Sequence, residues 1–580
     1  MTSDAPAPAF SRIPHAPRSD DPAALESLAE ALAAVDYSYD GVLALLGEGP
    51  FQAMARDQIA PARHRVRTIL AGTAAMPDGA RITAGRRRLA GAVDFFLLAG
   101  TLSAEALDAT LGEGAARLLD HLGFLAPAAD SSETAAPGAP AAAPRYRAAF
   151  DLRPHSADDG TDLWVASDLG AHQHPGALPA DHVLGIGQAS LTLAQITERR
   201  PADTALDLGT GCGIQTFHLL AHVRHVTATD LSERALAFTR FNLVLNAAAL
   251  DLDPAHPEER VRLLRGSLLE PVAGERFELI VSNPPFVITP RTPGEDPQRR
   301  YTYRDGGMAG DQLVERLVRE LPGHLVPGGR AQLLANWEIP ATAPGQQAEW
   351  DTRPRQWVGT ETEAWFVQRE ELTPEGYAQT WLRDASQQRD PAAYEEAFLA
   401  YLEDFAARGV AAVGFGMVWL RRPAGADAPG APTAGGLRRF EEITHPLQQP
   451  LAPFLTAAVA AHDAVAGLDD AALREQHLTV AEDVTEERHQ HPGAEHPGVI
   501  LLRQGAGFRR TELLSTQDAG FVSACDGELS VGQILDALGA LLGWEGPDPA
   551  ADLLARVRTL VERGFLVLPE ATSGAAPAAG

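Results

Sequence analysis

The chain lacks lysine entirely, so all 48 of its basic residues are arginines. This excludes a lysine Schiff base and the phosphate-binding lysine of P-loop nucleotide sites. The only two cysteines, Cys212 and Cys525, exclude a disulfide framework and a cysteine zinc cluster. Uninterrupted apolar runs of about 18 residues are also missing, and residues 1–20 contain no apolar signal core. We therefore expect a cytoplasmic protein without a membrane span and without a metal site.

Length and charge set further bounds. The 580 residues exceed one hydrophobic core, because a domain averages about 150 residues. The net charge of −29 should repel nucleic acids and anionic membranes at long range. One stretch departs from this average: residues 56–88 carry eight arginines and two aspartates, a local charge of +6. It predicts either a site for an anionic partner such as RNA or a face that docks on an acidic neighbouring domain.

Two segments rich in Ala and Pro, residues 126–144 and 422–436, have the composition of linkers. We therefore predict a helical, winged-helix-like domain at 1–125, a central domain at 145–421, a second winged-helix-like domain at 437–570 and a disordered tail at 571–580. Both flanking domains place a short apolar strand directly after a helix, at Gly123-Phe124-Leu125 and Gly564-Phe565-Leu566.

In the central domain, apolar strands alternate with helical stretches, which is typical of an α/β fold with a mostly parallel sheet. Strands are predicted at residues 204–208, 225–229, 261–265, 278–282, 330–336, 364–370 and 412–421. The last two are far apart in the sequence, and a helical insertion lies between them.

A glycine-rich turn follows the first of these strands. Gly209, Gly211 and Gly213 stand immediately before a helix, where backbone without side chains can approach a ligand closely. The spacing is GxGxG instead of the GxGxxG of dinucleotide folds. The next strand ends at Asp230, which can accept hydrogen bonds from both hydroxyls of a ribose. This pattern predicts a site for a nucleotide-like cofactor.

The fourth strand runs into Asn283-Pro284-Pro285-Phe286. An amide or exocyclic amine is a poor nucleophile, so two acceptors on its N–H bonds must orient its lone pair and stabilise the developing positive charge. The side-chain oxygen of Asn283 and the carbonyl of Pro284 can be those acceptors. Phe286 can stack on the planar target. We therefore predict Asn283, Pro284 and Phe286 as the catalytic residues.

Together these motifs resemble the class I S-adenosylmethionine-dependent methyltransferases that methylate nitrogen, over roughly residues 180–340. The strings 283–290, 305–310 and 326–330 resemble the HemK-type glutamine methyltransferases, and 184–190 resembles the RsmC-type small-domain rRNA methyltransferases. The resemblance implies a Rossmann-like seven-stranded sheet closed by an antiparallel pair, and S-adenosylmethionine as the cofactor. It implies a cofactor site formed by Asp207, Gly209, Gly211, Gly213, Asp230, Ser267 and Asn283. Many family members have an acidic residue in place of Ser267, and HemK enzymes usually have Tyr in place of Phe286.

Several substrate classes remain open at this point. Protein glutamine methylation is slightly favoured by the longer HemK-like string and by the acidic net charge. Methylation of an rRNA or tRNA base is favoured by the basic stretch and the winged-helix-like flanks. A natural-product amine is a further alternative, as is a non-enzymatic regulator that senses the cofactor. Residues 291–304 interleave arginine with tyrosine and could bind a nucleic-acid backbone or an acidic peptide.

Overall fold

A computed structural model describes residues 8–54, 56, 58–73, 81–128, 143–173, 178–291, 304–384, 387, 390–425 and 436–569. The chain divides into two compact units. The first comprises Met1–Ala194, Arg200–Ala431 and Phe440–Glu442, and the second comprises Gln195–Arg199, Pro432–Arg439 and Ile443–Gly580. Most of both predicted linkers and the whole predicted tail (571–580) lie outside the described residues, so the predicted division into six segments stays a prediction.

Short helices dominate the N-terminal part of the first unit. The elements are α1 (Pro22–Ala34), α2 (Tyr39–Leu46), α3 (Glu48–Met54), α4 (Ala60–Leu70), α5 (Ala84–Leu97), β1 (Thr101–Ser103), α6 (Ala104–Leu111), α7 (Ala115–His121), β2 (Leu125–Pro127) and β3 (Arg145–Ala148). Their starts follow from capping: the side chains of Asp21, Ser38 and Ser103 accept backbone N–H groups that the first turn leaves unpaired.

The three short strands form one antiparallel sheet in the order β1–β3–β2. The chain order α5–β1–α6–α7–β2–β3 is compatible with the winged-helix-like module, which stays a prediction. Strand β3 begins at Arg145, the residue where we placed the start of the central domain, yet it pairs with β1 and β2.

The central part of the first unit begins with an antiparallel hairpin, β4 (Asp151–Ser156) and β5 (Asp162–Ser167). The remaining elements are α8 (Gln188–Ile196), β6 (Ala202–Leu208), α9 (Ile214–Leu220), β7 (Val223–Asp230), α10 (Glu233–Leu245), β8 (Val261–Arg265), β9 (Phe277–Ser282), α11 (Gln312–Glu320), β10 (Leu325–Ala343), β11 (Gln346–Gln347), α12 (Thr352–Trp357), β12 (Glu363–Leu372), α13 (Pro374–Asp384), α14 (Pro391–Arg408), β13 (Val410–Arg421) and β14 (Arg438–Glu442).

The main sheet has the order β14–β12–β13–β10–β9–β6–β7–β8. Its strands from β8 to β10 run parallel, and β13 is antiparallel to both β10 and β12. The predicted α/β class and Rossmann-like sheet are confirmed, including the antiparallel closing pair. The sheet is larger than the seven strands predicted, because β11 pairs with the end of β10 and β14 adds to the open edge of β12.

Both faces of this sheet are covered. Leu279 and Val281 of β9 face one apolar core, while Ile280 faces another that contains Leu313 and Leu317 of α11. Parallel strands buried on both faces have continuous apolar runs, and this explains the run that precedes Asn283.

The N-terminal helices share a core with the central part. The Tyr37 hydroxyl donates to the carbonyl of Leu152 in β4 at 2.6 Å, and the Trp164 indole donates to the carbonyl of Tyr37 at 2.6 Å. The rings of Phe124 and Phe241 lie 5.3 Å apart. These contacts join the helices to the β4–β5 hairpin and to α10.

The second unit is built around its own apolar core. Its elements are α15 (Ala452–Ala466), α16 (Asp470–Arg474), β15 (Thr479–Val480), β16 (Val484–His489), β17 (Val499–Gln504), β18 (Thr511–Leu514), α17 (Thr516–Val522), α18 (Val531–Leu542), α19 (Asp548–Glu562) and β19 (Leu566–Val567). Strands β16, β17 and β18 form one antiparallel sheet, and β15 pairs with β19.

The similar sequences at the ends of α7 and α19 have the same geometry. Gly123 and Gly564 both have φ +80°, and the Phe that follows each is fully buried. The Phe124 amide donates to the carbonyl of Leu119, and the Phe565 amide donates to that of Leu560. This is the hydrogen bond of a Schellman helix end, which needs a left-handed residue at the glycine. Among the described residues, no helix has both the length and the apolar character needed to cross a membrane.

Candidate active site

A cavity of about 430 Å³ opens at the carboxyl ends of β6, β7, β8 and β9. In parallel α/β sheets this edge is where ligands bind. The predicted site residues that line it are Gly209, Gly211, Asp230, Ser267, Asn283 and Pro284. Asp207, Gly213 and Phe286 do not line it. The structure thus brings most of the predicted cofactor residues and two of the predicted catalytic residues to one cavity.

The glycine loop, residues 209–213, requires glycine on geometric grounds. Gly211 has φ +58° and Gly213 has φ +96°, both in the left-handed region. A Cβ atom on Gly213 would lie 2.8 Å from Cζ of Phe217 in α9, whereas one on Gly211 would meet nothing within 4 Å. Gly213 therefore serves packing, and Gly211 leaves space open beside the cavity.

The carbonyls of this loop are held by α10. The Thr239 hydroxyl donates to the carbonyl of Gly211 at 2.9 Å, and Nδ2 of Asn242 donates to that of Cys212 at 2.9 Å. Burial raises the pKa of the Cys212 thiol to about 12, so Cys212 fills space and is not a nucleophile at neutral pH. Thr239 and Asn242 could not be predicted from the sequence, because both are on a helix that carries no recognisable motif.

Asp207 is buried and is the second-last residue of β6, just before the glycine loop. Its Oδ2 accepts hydrogen bonds from the hydroxyls of Thr210 and Thr216, each at 2.7 Å, and from the amide of Thr216 at 3.0 Å. Its Oδ1 is buried and has no partner among the described residues. Burial raises the pKa of the Asp207 carboxyl to about 6. A buried carboxylate oxygen without a donor suits the ammonium group of a ligand.

Asp230 lines the same cavity as Asn283 and is the last residue of β7. Its Oδ2 accepts the amide of Gly211 at 3.0 Å, and its Oδ1 accepts the amide of Ser232 at 2.8 Å. Burial raises the pKa of this carboxyl above its ordinary value. Each carboxylate oxygen has more than one lone pair, so both oxygens can still accept a ribose hydroxyl. Asp230 lines the cavity and suits the ribose of S-adenosylmethionine, whereas Asp207 does not line it, so the predicted roles of both residues stay predictions.

The transfer loop, residues 283–288, begins at the end of β9. The Oδ1 of Asn283 is buried and accepts no hydrogen bond from the described residues. The carbonyl of Pro284 accepts the amide of Phe286 at 2.7 Å, which leaves one lone pair for a substrate N–H. Phe286 packs in apolar clusters, with its ring 6.3 Å from that of Trp381. Its predicted stacking on a substrate therefore stays a prediction.

Two further residues that line the cavity have structural features that the sequence does not predict. Nε2 of Gln215 donates to the carbonyl of Ser190 at 2.8 Å and so joins α9 to the segment that resembles RsmC enzymes. Leu268 lines the cavity with φ +48°, a strained conformation for a leucine. In the sequence, the string 305–310 is marked only by its resemblance to the HemK-type enzymes.

Asp305 holds the residues that directly follow the transfer loop. It accepts the Thr289 hydroxyl at 2.5 Å and the Gly307 amide at 2.8 Å, and it forms an ion pair with Arg291. Burial by itself raises the pKa of the Asp305 carboxyl. The hydrogen bonds from Arg291, Thr289 and Gly307 together have a larger effect in the opposite direction, so the net pKa is below its ordinary value. The predicted binding residues Arg299, Arg300, Tyr301 and Tyr303 lie outside the described residues.

The arginine-rich stretch 56–88 is partly structural. Arg63 donates to the carbonyl of Leu98 at 2.8 Å, and Arg88 donates to that of Thr110 at 2.9 Å. Arg65 donates to the carbonyl of Leu45 at 3.3 Å. The arginines whose side chains are exposed, and so can still meet an anionic partner, are Arg56, Arg67, Arg81 and Arg87.

Comparisons with known proteins agree with this geometry. Residues 171–294 match the family described as methyltransferase small domain, and residues 34–136 match a domain of unknown function (DUF7059). A ribosomal protein uL3 glutamine methyltransferase from Bradyrhizobium diazoefficiens is 32% identical over 159 residues, 27% of this chain and 46% of the relative.

Two other relatives match a similar region. A release factor glutamine methyltransferase from Deinococcus radiodurans is 38% identical over 149 residues, 25% of this chain and 48% of the relative. A ribosomal RNA small subunit methyltransferase C from Alcanivorax borkumensis is 28% identical over 184 residues, 31% of this chain and 46% of the relative. The chain thus spans less than half the length of each of these curated relatives. Its central part is thus similar to class I S-adenosylmethionine-dependent methyltransferases of the HemK and RsmC type.

Proposed function

We propose that this protein transfers a methyl group from S-adenosylmethionine to the side-chain amide nitrogen of a glutamine in a protein substrate. The observation that carries the proposal is the Oδ1 of Asn283, a buried acceptor without a partner that borders the cavity of the glycine loop. An unpaired buried acceptor is unfavourable, so a donor supplied by the substrate would remove that penalty. The glutamine methyltransferases among the relatives support this choice of substrate.

The chain's own residues supply orientation in this reaction. S-adenosylmethionine, when bound, supplies a methyl group on a positively charged sulfur. Asn283 and the Pro284 carbonyl each accept one N–H of the substrate amide, so its lone pair points towards the cofactor side of the cavity. The same two acceptors stabilise the positive charge that develops on the nitrogen. A dedicated base is not required, because the proton can leave to water after transfer.

A second candidate is methylation of an exocyclic base amine in ribosomal RNA. The relative named ribosomal RNA small subunit methyltransferase C supports it, since its match of 184 residues is longer than those of the two glutamine methyltransferases. The same two acceptors suit a base amine, because its lone pair is also delocalised into a planar system.

Methyl-labelled S-adenosylmethionine distinguishes the two candidates. Purified protein is incubated with the labelled cofactor and a host lysate, and samples are digested separately with protease and with nuclease. We expect protease, and not nuclease, to release the label. Label released by nuclease would replace the proposal with the RNA candidate, and absence of any labelled macromolecule would contradict both.

A further inference from the structure

A helical insertion, α13 and α14, lies between β12 and β13 and contacts the transfer loop. Tyr377 of α13 is fully buried among Val287, Ile288 and the aromatic residues of this insertion. Its hydroxyl accepts the amide of Ile288 at 2.7 Å and Nδ2 of Asn336 in β10 at 2.9 Å. One hydroxyl therefore joins the end of the transfer loop to the central sheet.

Helix α13 also contacts Arg304, which directly precedes the cavity-lining residues 305–307. Arg304 is buried, and its guanidinium donates to the carbonyl of Trp381 at 2.7 Å. The amide of Val287 in turn donates to the carbonyl of Arg304 at 2.9 Å. The insertion thus holds the transfer loop directly through Tyr377 and indirectly through Arg304.

These anchors lie close in sequence to the groups that meet the substrate. Ile288 is five residues from Asn283, and the intervening chain contains two prolines and the short Phe286–Pro284 hydrogen bond. Prolines restrict φ, so a shift at Ile288 is transmitted along the loop instead of being absorbed in it. The T-shaped contact between the rings of Trp381 and Phe286 also limits movement of the loop.

We propose that Tyr377 is a positioning residue for methyl transfer, because its hydroxyl fixes the transfer loop so that Asn283 and Pro284 face the reacting nitrogen. The catalytic part of this inference rests on the proposed function. Tyr377 itself does not line the cavity. Its removal should therefore change the rate of the bound complex and leave cofactor affinity unchanged.

The same insertion provides a matched control. Tyr401 of α14 is also buried, and its ring lies 6.3 Å from that of Tyr377. Its hydroxyl has no hydrogen-bond partner among the described residues. Removing an unpartnered buried hydroxyl deletes no hydrogen bond, whereas removing that of Tyr377 leaves the Ile288 amide unpaired. Tyr377→Phe and Tyr401→Phe therefore make the same chemical change, but only Tyr377→Phe should affect the transfer loop.

The experiment compares both variants with the full-length wild-type protein by steady-state kinetics, cofactor calorimetry and hydrogen exchange. We expect Tyr377→Phe to lower kcat by about tenfold or more, because small displacements of reacting groups have effects of this order. Its dissociation constant for S-adenosylmethionine should stay that of the wild type, and the Ile288 amide should exchange faster. Tyr401→Phe should match the wild type in all three measurements.

Two results would overturn the inference. The first is an Ile288 amide that exchanges at the wild-type rate in Tyr377→Phe, since the hydroxyl would then not anchor the loop. The second is faster exchange with unchanged kcat, since the anchor would then have no role in transfer. Wild-type protein that transfers no methyl group to any macromolecule contradicts the proposed function instead, and the exchange rates then decide whether the anchor exists.

Discussion

At the scale of single residues, Asp207 combines two opposing effects. Burial disfavours its charged form in the protein alone, whereas a bound ammonium group would favour it. An unfolded aspartate ionises near 3.8 and the folded Asp207 near 6, so the unfolded state loses its proton first as the pH rises. The contribution of this residue to the free energy of unfolding therefore falls by about 3 kcal/mol between about pH 4 and pH 6. Above pH 6 this contribution is constant.

Asp207→Asn tests this balance. Asparagine keeps an oxygen for the donors of Thr210 and Thr216 but carries no charge. We expect the variant without cofactor to be more stable than the wild type at pH 8, by about 1 to 3 kcal/mol in denaturant unfolding. Its affinity for S-adenosylmethionine should fall, as measured by calorimetry. A less stable variant with full affinity would show that Asp207 is structural and does not bind the cofactor.

Asn283 permits a second test at this scale. Asn283→Ala removes an acceptor without a protein partner, so folding and cofactor binding should be retained. Methyl transfer should fall by about 100-fold or more, the usual effect of removing one group that stabilises developing charge. The measurement pairs a transfer assay with cofactor calorimetry on the same sample. Transfer at the wild-type rate would exclude Asn283 as an acceptor.

At the scale of elements, the glycine loop depends on backbone geometry. Gly213→Ala places a methyl group 2.8 Å from Phe217 on a residue with φ +96°, so we expect a loss of about 2 kcal/mol or more in unfolding free energy. Gly49→Ala in α3 is the control, because its new methyl group meets nothing within 4 Å in an ordinary helix. The control should be neutral or slightly stabilising. Equal effects in the two variants would contradict the geometric argument.

The arginine-rich stretch allows a second comparison of elements. Arg88→Gln should lower stability by about 1 to 3 kcal/mol, because the side chain of Arg88 caps the carbonyl of Thr110. Arg87→Gln should leave stability unchanged, because its side chain is exposed. If the stretch binds an anionic partner, binding should weaken in Arg87→Gln at low salt, as measured by filter retention of RNA. If only Arg87→Gln lowered stability, Arg87 would be the structural residue and Arg88 would not.

The features that the sequence predicts correctly are those with a local signal. Strand β8 has the bounds predicted, and the glycine loop, Asp230 and Asn283 are adjacent to strand ends, which parallel topology brings to one edge. Strand β10 is much longer than expected, because it pairs with β9 at Leu325 before the Pro327-Gly328-Gly329 irregularity and with β13 as far as Pro340. The Tyr377 anchor could not be predicted, because 89 residues separate it from Ile288 and no local pattern connects them.

At the scale of the whole molecule, each unit has a core of its own, and the helix ends at Phe124 and Phe565 provide a matched pair. We expect two calorimetric unfolding transitions. Phe124→Ala should lower the temperature of one transition and Phe565→Ala that of the other. Each substitution should reduce the unfolding free energy of its unit by about 3 to 5 kcal/mol. S-adenosylmethionine should raise only the transition that Phe124→Ala lowers. A single transition that responds to both substitutions would show that the two units unfold together.

The position of β13 has a consequence for how the protein is made. This strand is the last of the seven predicted strands to leave the ribosome, yet it lies between β10 and β12. Until residues 410–421 have emerged, both neighbours present open strand edges, which other chains can pair with. The insertion that holds the transfer loop also emerges late, so a nascent chain completes its cofactor loop well before it completes its transfer site.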